Sequence, residues 1–69
     1  MMTKSTIHVQ GMSCEHCVKS VTNAIMALPG IGNADVRLKK QTATVKFDES
    51  KIGLENIREA IREAGYEAE

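Results

Sequence analysis

Residues 34–47 have the sequence ADVRLKKQTATVKF, and this stretch decides the fold. Apolar residues take every second position on both sides of a short polar interval: Ala34, Val36 and Leu38 before it, and Ala43, Val45 and Phe47 after it. A period of two is typical of strands with one buried face. We therefore expect two strands joined by a tight turn near Lys40-Gln41. Because the turn lacks an Asn-Gly pair, its type stays open.

The region before this hairpin changes from a period of two to a helical one. Residues 6–10 alternate, with Ile7 and Val9 on one face and His8 on the other, which predicts a strand. After a break at residues 11–13, apolar residues recur at steps of three and four and predict an amphipathic helix: Val18, Val21, Ile25 and Leu28. Ser13 or Cys14 is placed to cap its start, and Pro29-Gly30 to end it.

A second helix and a short last strand follow the hairpin. Leu54, Ile57 and Ile61 recur at helical spacing, and Gly65 follows them as a stop signal. Residues 66–69 are long enough for one more short strand. The order β-α-β-β-α-β predicts an α+β, ferredoxin-like arrangement, in which both helices cover one face of a four-stranded antiparallel sheet. We expect residues 1–69 to form a single domain.

Composition excludes several classes of function. The formal net charge is +0 and only Phe47 and Tyr66 are aromatic, which argues against a basic or base-stacking nucleic-acid surface. The longest apolar run, residues 24–28, is far short of the roughly 20 residues that span a bilayer. Residues 1–6 lack the apolar core of a signal peptide. We therefore expect a cytoplasmic protein that does not insert into a membrane. We also expect Met1 and Met2, at the chain terminus, to be mobile.

The candidate site lies where the first strand meets the first helix. Residues 11–17 have the sequence GMSCEHC, which places Cys14 and Cys17 within reach of a single ion. In a reducing cytosol, such a pair is more often metal-binding or redox-active than a structural disulfide. Gly11 allows a sharp turn of the backbone. The helix N-terminus favours the thiolate form, chiefly at Cys17.

The donor set favours Cu(I) as the bound ion. Structural zinc sites use four ligands, and His8 lies awkwardly for completing such a set with the two cysteines. Soft thiolates select Cu(I), which accepts a low coordination number. Two sulfurs then leave room for an incoming thiolate, so that the ion can be passed on through a shared intermediate.

Residues 11–17 resemble the GMxCxxC signature of heavy-metal-associated domains, and the whole chain resembles bacterial copper chaperones of that family. The resemblance implies that Cys14 and Cys17 bind Cu(I), which the protein delivers to the N-terminal metal-binding domains of a copper-transporting P-type ATPase. A copper-responsive repressor is implied as a further recipient. The resemblance also implies that Met12 packs beneath the loop and that Tyr66 sits near the site. Ser13 stands where zinc-exporting relatives often have Asp, which favours copper.

Several alternatives stay open at this point. One alternative is that the bound ion is zinc, silver, cadmium or mercury. Another is that the chain is an excised metal-binding domain of the ATPase itself. A small thiol-disulfide oxidoreductase is the alternative from the enzyme class. We do not expect an enzyme, because Trp is absent and the only proline, Pro29, ends a helix. We expect a monomer without metal, with a copper-bridged dimer as an open possibility, and a solvent-facing His16.

Overall fold

The computed structural model describes residues 2–69, and Met1 lies outside the described residues. Six elements follow the predicted order: β1 (Met2–Gln10), α1 (Glu15–Met26), β2 (Ile31–Arg37), β3 (Thr42–Asp48), α2 (Leu54–Glu63) and β4 (Glu67–Ala68). The α+β fold class is confirmed.

The four strands form one antiparallel sheet in the order β2-β3-β1-β4. β1 pairs with β3 along most of its length, from Met2 opposite Asp48 to His8 opposite Thr42. Its other edge pairs with β4 only at its end, at Val9 and Gln10. The central position of β1 fixes the place where the chain leaves the sheet for α1.

Both helices pack on the same face of this sheet, as predicted. The buried side chains come from alternate strand positions and from one side of each helix, and they form one cluster: Ile7, Val9, Met12, Val21, Ile25, Ala43, Val45, Phe47, Ile52, Ile57, Ile61 and Ala68. Val21 and Ile25 of α1 meet Ile57 and Ile61 of α2 in this cluster. Within residues 2–69, neither helix has the length and hydropathy needed to cross a lipid bilayer.

The turn between β2 and β3 depends on Gln41. Its φ is 54°, and it is the only residue other than glycine with a positive φ among residues 2–69. The Gln41 N–H donates to the Leu38 carbonyl at 3.2 Å, and the Gln41 carbonyl accepts from the Val9 N–H at 2.8 Å. The turn is therefore tied to β1 as well as closed on itself. A left-handed non-glycine residue costs roughly 1–2 kcal/mol, which these contacts offset.

Two expectations about the ends of elements are wrong. Met2 is not outside the folded elements: it begins β1, opposite Asp48, and lies so close to Gly32 that a Cβ there would collide with its side chain. The helix α1 ends at Met26, before Pro29-Gly30. Leu28 is nevertheless partly buried against the core from outside the helix, which explains why it continued the apolar pattern.

Neighbouring residues at the end of α1 provide a matched test of the core. Ile25 is 0% exposed and Met26 is 47% exposed. We expect Ile25→Ala to lower the free energy of unfolding by about 2–5 kcal/mol, because it removes buried methyl groups. Met26→Ala should change it by less than about 0.5 kcal/mol. Urea denaturation followed by circular dichroism measures both values, and equal losses would contradict this description of the core.

Candidate metal centre

The loop between β1 and α1 is anchored at two successive residues. Gly11 has a φ of 102°, and a Cβ there would lie 3.5 Å from Cδ1 of Tyr66. Met12 then turns its side chain into the core, where it is 5% exposed. The prediction that Met12 packs beneath the loop is confirmed. The chain leaves this anchor at Ser13 and reaches the start of α1 at the surface.

Cys14 and Cys17 lie on the first turn of α1, close to each other. Cys14 is the N-cap residue, with an extended backbone (φ −157°) and an exposed side chain. Cys17 is half-buried and packs against the core. The two Sγ atoms are 4.0 Å apart, and both cysteines are free thiols. Because metal–thiolate bonds are about 2.3 Å long, one ion can contact both sulfurs without a large movement of the loop.

Cys17 is set up as a thiolate. Hydrogen bonds to its sulfur lower the pKa of Cys17 from 9.0 to about 6. The backbone N–H of Ser13 has the largest effect, followed by the hydroxyls of Tyr66 and Ser13 and the backbone N–H of Cys14, while burial opposes the shift. The thiolate form of Cys17 is therefore favoured at pH values where an ordinary cysteine is still a thiol.

The position of Cys17 in the helix explains these contacts. Cys14 is the N-cap and has no side-chain capping hydrogen bond, so Cys17 is the third residue of the helix proper. In a capping box, the side chain at that position accepts a hydrogen bond from the N-cap backbone. The Cys17 sulfur takes this role towards the Cys14 N–H. A negative charge here is also favoured by the helix dipole.

Tyr66 supports the site from the other end of the chain. Its hydroxyl lies near the Cys17 sulfur, and this neighbour, with burial, raises the pKa of Tyr66. The predicted proximity of Tyr66 to the site is confirmed. The helix stop at Gly65 brings it there, because the chain turns back into β4 directly after α2.

The two histidines are exposed and are not grouped with the two cysteine sulfurs. His16 is exposed on the first turn of α1, and His8 is exposed on the outer face of β1. Among residues 2–69, no three His, Cys, Asp or Glu side chains are grouped so as to hold one ion. The side chains that the structure places within reach of one soft ion are Cys14 and Cys17, with their sulfurs 4.0 Å apart. Sequence reasoning missed the effect of Ser13, whose N–H and hydroxyl both lower the pKa of Cys17. Only its place in the loop could have pointed to it.

Comparison with known proteins agrees with this geometry. The family model described as "heavy-metal-associated domain" matches residues 6–67. The chain belongs to this family. Two curated relatives, both named copper chaperone CopZ, come from Staphylococcus epidermidis (strain RP62A) and Enterococcus hirae. Each is 44% identical to this heavy-metal-associated domain over 66 residues; these cover 96% of the chain, and 97% and 96% of the two relatives, respectively.

A solved structure extends the similarity to transporters. The copper-binding domain of HMA7, a P-type ATPase, superposes with a TM-score of 0.95 at 40% identity. The match covers 100% of this chain and 92% of that one. The chain is thus similar in sequence to copper chaperones and similar in structure to a copper-binding domain of a P-type ATPase.

The pKa of Cys17 predicts its reactivity. In a Cys14→Ser variant, where only Cys17 reacts, alkylation by iodoacetamide should be half-maximal well below pH 9.0, the pKa of an unperturbed thiol. Adding Tyr66→Phe keeps the ring beside Gly11 but removes the hydroxyl, so the midpoint should move to higher pH. The alkylation rate at pH 6 should then fall roughly two- to fivefold. Identical pH profiles for the two proteins would show that the hydroxyl does not stabilise the thiolate.

The same pKa predicts how stability depends on pH. Between about pH 6 and pH 9.0, the folded protein has lost the Cys17 proton while the unfolded chain still holds it. The free energy of unfolding should therefore rise with pH across this window and lose this contribution as the pH falls towards 6. Denaturation of the metal-free protein at several pH values should show the rise, and Cys17→Ser should lack it. A parallel rise in the variant would assign the effect to other groups.

Proposed function

We propose that this protein is a cytoplasmic copper chaperone, which binds one Cu(I) ion through the thiolates of Cys14 and Cys17. The observation that supports this most directly is the 4.0 Å separation of the two sulfurs on the first turn of α1. Soft thiolate ligands favour Cu(I) over hard cations, and Cu(I) accepts two ligands. The names of the curated relatives support copper as the ion that is carried. Binding and transfer of an ion require no catalysed reaction, so no enzymatic activity is proposed.

The unequal burial of the two cysteines suggests how the ion is passed on. Cys14 is exposed at the tip of the loop, whereas Cys17 is half-buried and its sulfur accepts several hydrogen bonds. A thiolate of the acceptor can approach from the side of Cys14 and bind the ion while both original sulfurs still hold it. Cys14 then leaves first, and Cys17 leaves as a second thiolate of the acceptor takes its place. The ion stays bound to sulfur throughout, so transfer does not require its release to water.

The acceptor that we propose is the N-terminal metal-binding domain of a copper-transporting P-type ATPase. The domain of HMA7 supports this, because it has the same fold and is described as copper-binding. An acceptor with a similar donor set would hold the ion about as tightly as the donor. The free energy of transfer between the two would then be close to zero. The next step of transport, which removes the ion from the acceptor, would set the direction. A copper-responsive repressor with cysteine ligands would suit the same exchange.

The similarity to HMA7 also keeps a second assignment open, in which this sequence is itself a metal-binding domain within a P-type ATPase. Copper binding by Cys14 and Cys17 is common to both assignments. An immunoblot of cell extract with an antibody against this sequence separates them, since a band near 7.6 kDa identifies a free chaperone. A much larger membrane-associated band identifies an ATPase.

Metal affinities test the copper assignment. Anaerobic competition with chelators of known strength at pH 7 should give tight one-to-one Cu(I) binding, with Zn(II) bound orders of magnitude more weakly. A double Cys14→Ser, Cys17→Ser variant should lose Cu(I) affinity by more than about 100-fold, since even residues that only support a ligand contribute about 10- to 100-fold. Its circular dichroism spectrum should match that of the metal-free wild type, because neither cysteine belongs to the buried cluster.

The control for these measurements is His16→Asn, which should change the Cu(I) affinity by less than about tenfold. Zn(II) binding as strong as Cu(I) binding would contradict the proposal and indicate a zinc protein. A large effect of His16→Asn would contradict the two-cysteine site and make His16 a ligand. Mixing the Cu(I)-loaded protein with the isolated N-terminal domain of a copper-transporting ATPase should move copper within seconds, as followed by NMR of either partner. A dithiol that instead turns over disulfide substrates catalytically would indicate an oxidoreductase.

A further inference from the structure

The side chain of Gln41 connects the β2–β3 turn to the loop that presents the two cysteines. Its Nε2 donates to the carbonyl of Met12 at 3.0 Å and to the carbonyl of Leu38 at 2.7 Å. Both partners are carbonyl oxygens, which only accept, so the NH₂ group of the amide must face them. The two hydrogen bonds use both of its N–H donors. Gln41 is partly buried, which shields these contacts from competing water.

The Met12 carbonyl that Gln41 contacts belongs to the same peptide group as the Ser13 N–H. A peptide group is planar, and among residues 2–69 all peptide bonds are trans. The C=O and N–H of one trans peptide point in opposite directions, so a contact that fixes one of them also fixes the other. On the far side of this peptide lies Cys17, and the Ser13 N–H is the group that most lowers the pKa of its thiol. The Ser13 hydroxyl lies 3.7 Å from the same sulfur.

We propose that Gln41 is a positioning residue for the metal centre: its amide holds the Met12–Ser13 peptide and so keeps Ser13 beside the Cys17 sulfur. Gln41 thereby links the β2–β3 turn to the residue that lies next to the sulfur. The positioning role towards bound copper rests on the proposed function. The orientation of the peptide does not, because it is a property of the metal-free protein.

The backbone of Gln41 supports a role beyond the turn. At a φ of 54°, glycine would be the residue of least strain, yet glutamine occupies the position. A side chain long enough to reach the Met12 carbonyl, 29 residues away in the sequence, is what glycine lacks. Closure of the turn needs only the backbone hydrogen bond from the Gln41 N–H to Leu38, which any residue but proline can make.

The test removes the amide while preserving the shape of the side chain. In Gln41→Met, the amide proton of Ser13 should move upfield in the NMR spectrum of the metal-free protein, and its exchange with solvent should accelerate roughly three- to tenfold, as expected for one ordinary hydrogen bond. Cu(I) release to a chelator should accelerate by a similar factor. Gln41→Glu places a carboxylate against two carbonyl oxygens and should have a larger effect on both readouts.

Two further variants separate the possible outcomes. Gln10→Met makes the same change at the exposed glutamine of β1 and should leave the Ser13 amide and copper release unchanged. Gln41→Gly removes the side chain but relaxes the backbone, so it should fold even if Gln41→Met does not, and it should show the same loss at Ser13. An unchanged Ser13 amide in folded Gln41→Met or Gln41→Gly would overturn the proposal and restrict Gln41 to the turn. Weak copper binding by the wild type would refute the proposed function but leave the amide result valid.

Discussion

The loop between β1 and α1, which carries the two cysteines, depends on the burial of the Met12 side chain in the core. The loop must end a central strand, start a helix and still present two cysteines at the surface. Gly11 makes the reversal with a φ of 102°, and Met12 then enters the core at 5% exposure. With that side chain fixed inside, the adjoining peptide groups remain near the surface. The Met12 carbonyl faces Gln41, and the Ser13 N–H faces Cys17. A loop of polar residues alone would have no comparable attachment.

Periodicity was sufficient to predict the fold because one face of every main element is buried. The alternation in residues 34–47 and the helical spacing around Ile25 and Ile57 each reflect contact with the same cluster. Positions without that contrast escaped prediction. The strand β1 starts at Met2, but polar residues, Thr3 and Ser5, occupy the core-facing positions of its first half. An alternation of apolar residues therefore does not mark where this strand begins. Its pairing with β3, which is distant in the sequence, decides its length.

For the candidate site, the two cysteines could be located from the sequence, but the groups that surround them could not. Cys14, Cys17, Gly11 and Met12 belong to a compact motif whose chemistry follows from residue type and spacing. Gln41 is separated from the loop by 29 residues and reaches it only after the sheet has formed. Glutamine in a polar turn has no distinguishing pattern. The same holds for the choice of donor to the Cys17 sulfur, since the direction of a peptide N–H depends on tertiary structure.

The unequal environments of the two sulfurs connect the fold to the proposed transfer of copper. The Cys17 sulfur accepts hydrogen bonds from groups fixed by the loop, by the first turn of α1 and by the segment before β4. These donors are set in place when the chain folds, so no reorganisation is required each time an ion arrives. Cys14 is exposed and has an extended backbone at the very start of the helix. In the proposed transfer, the Cys17 sulfur therefore holds the ion in a fixed position, while the Cys14 sulfur remains accessible to an acceptor. A site with two equally buried thiolates would bind the ion but hinder its departure, and two equally exposed ones would leave both thiolates without preformed support.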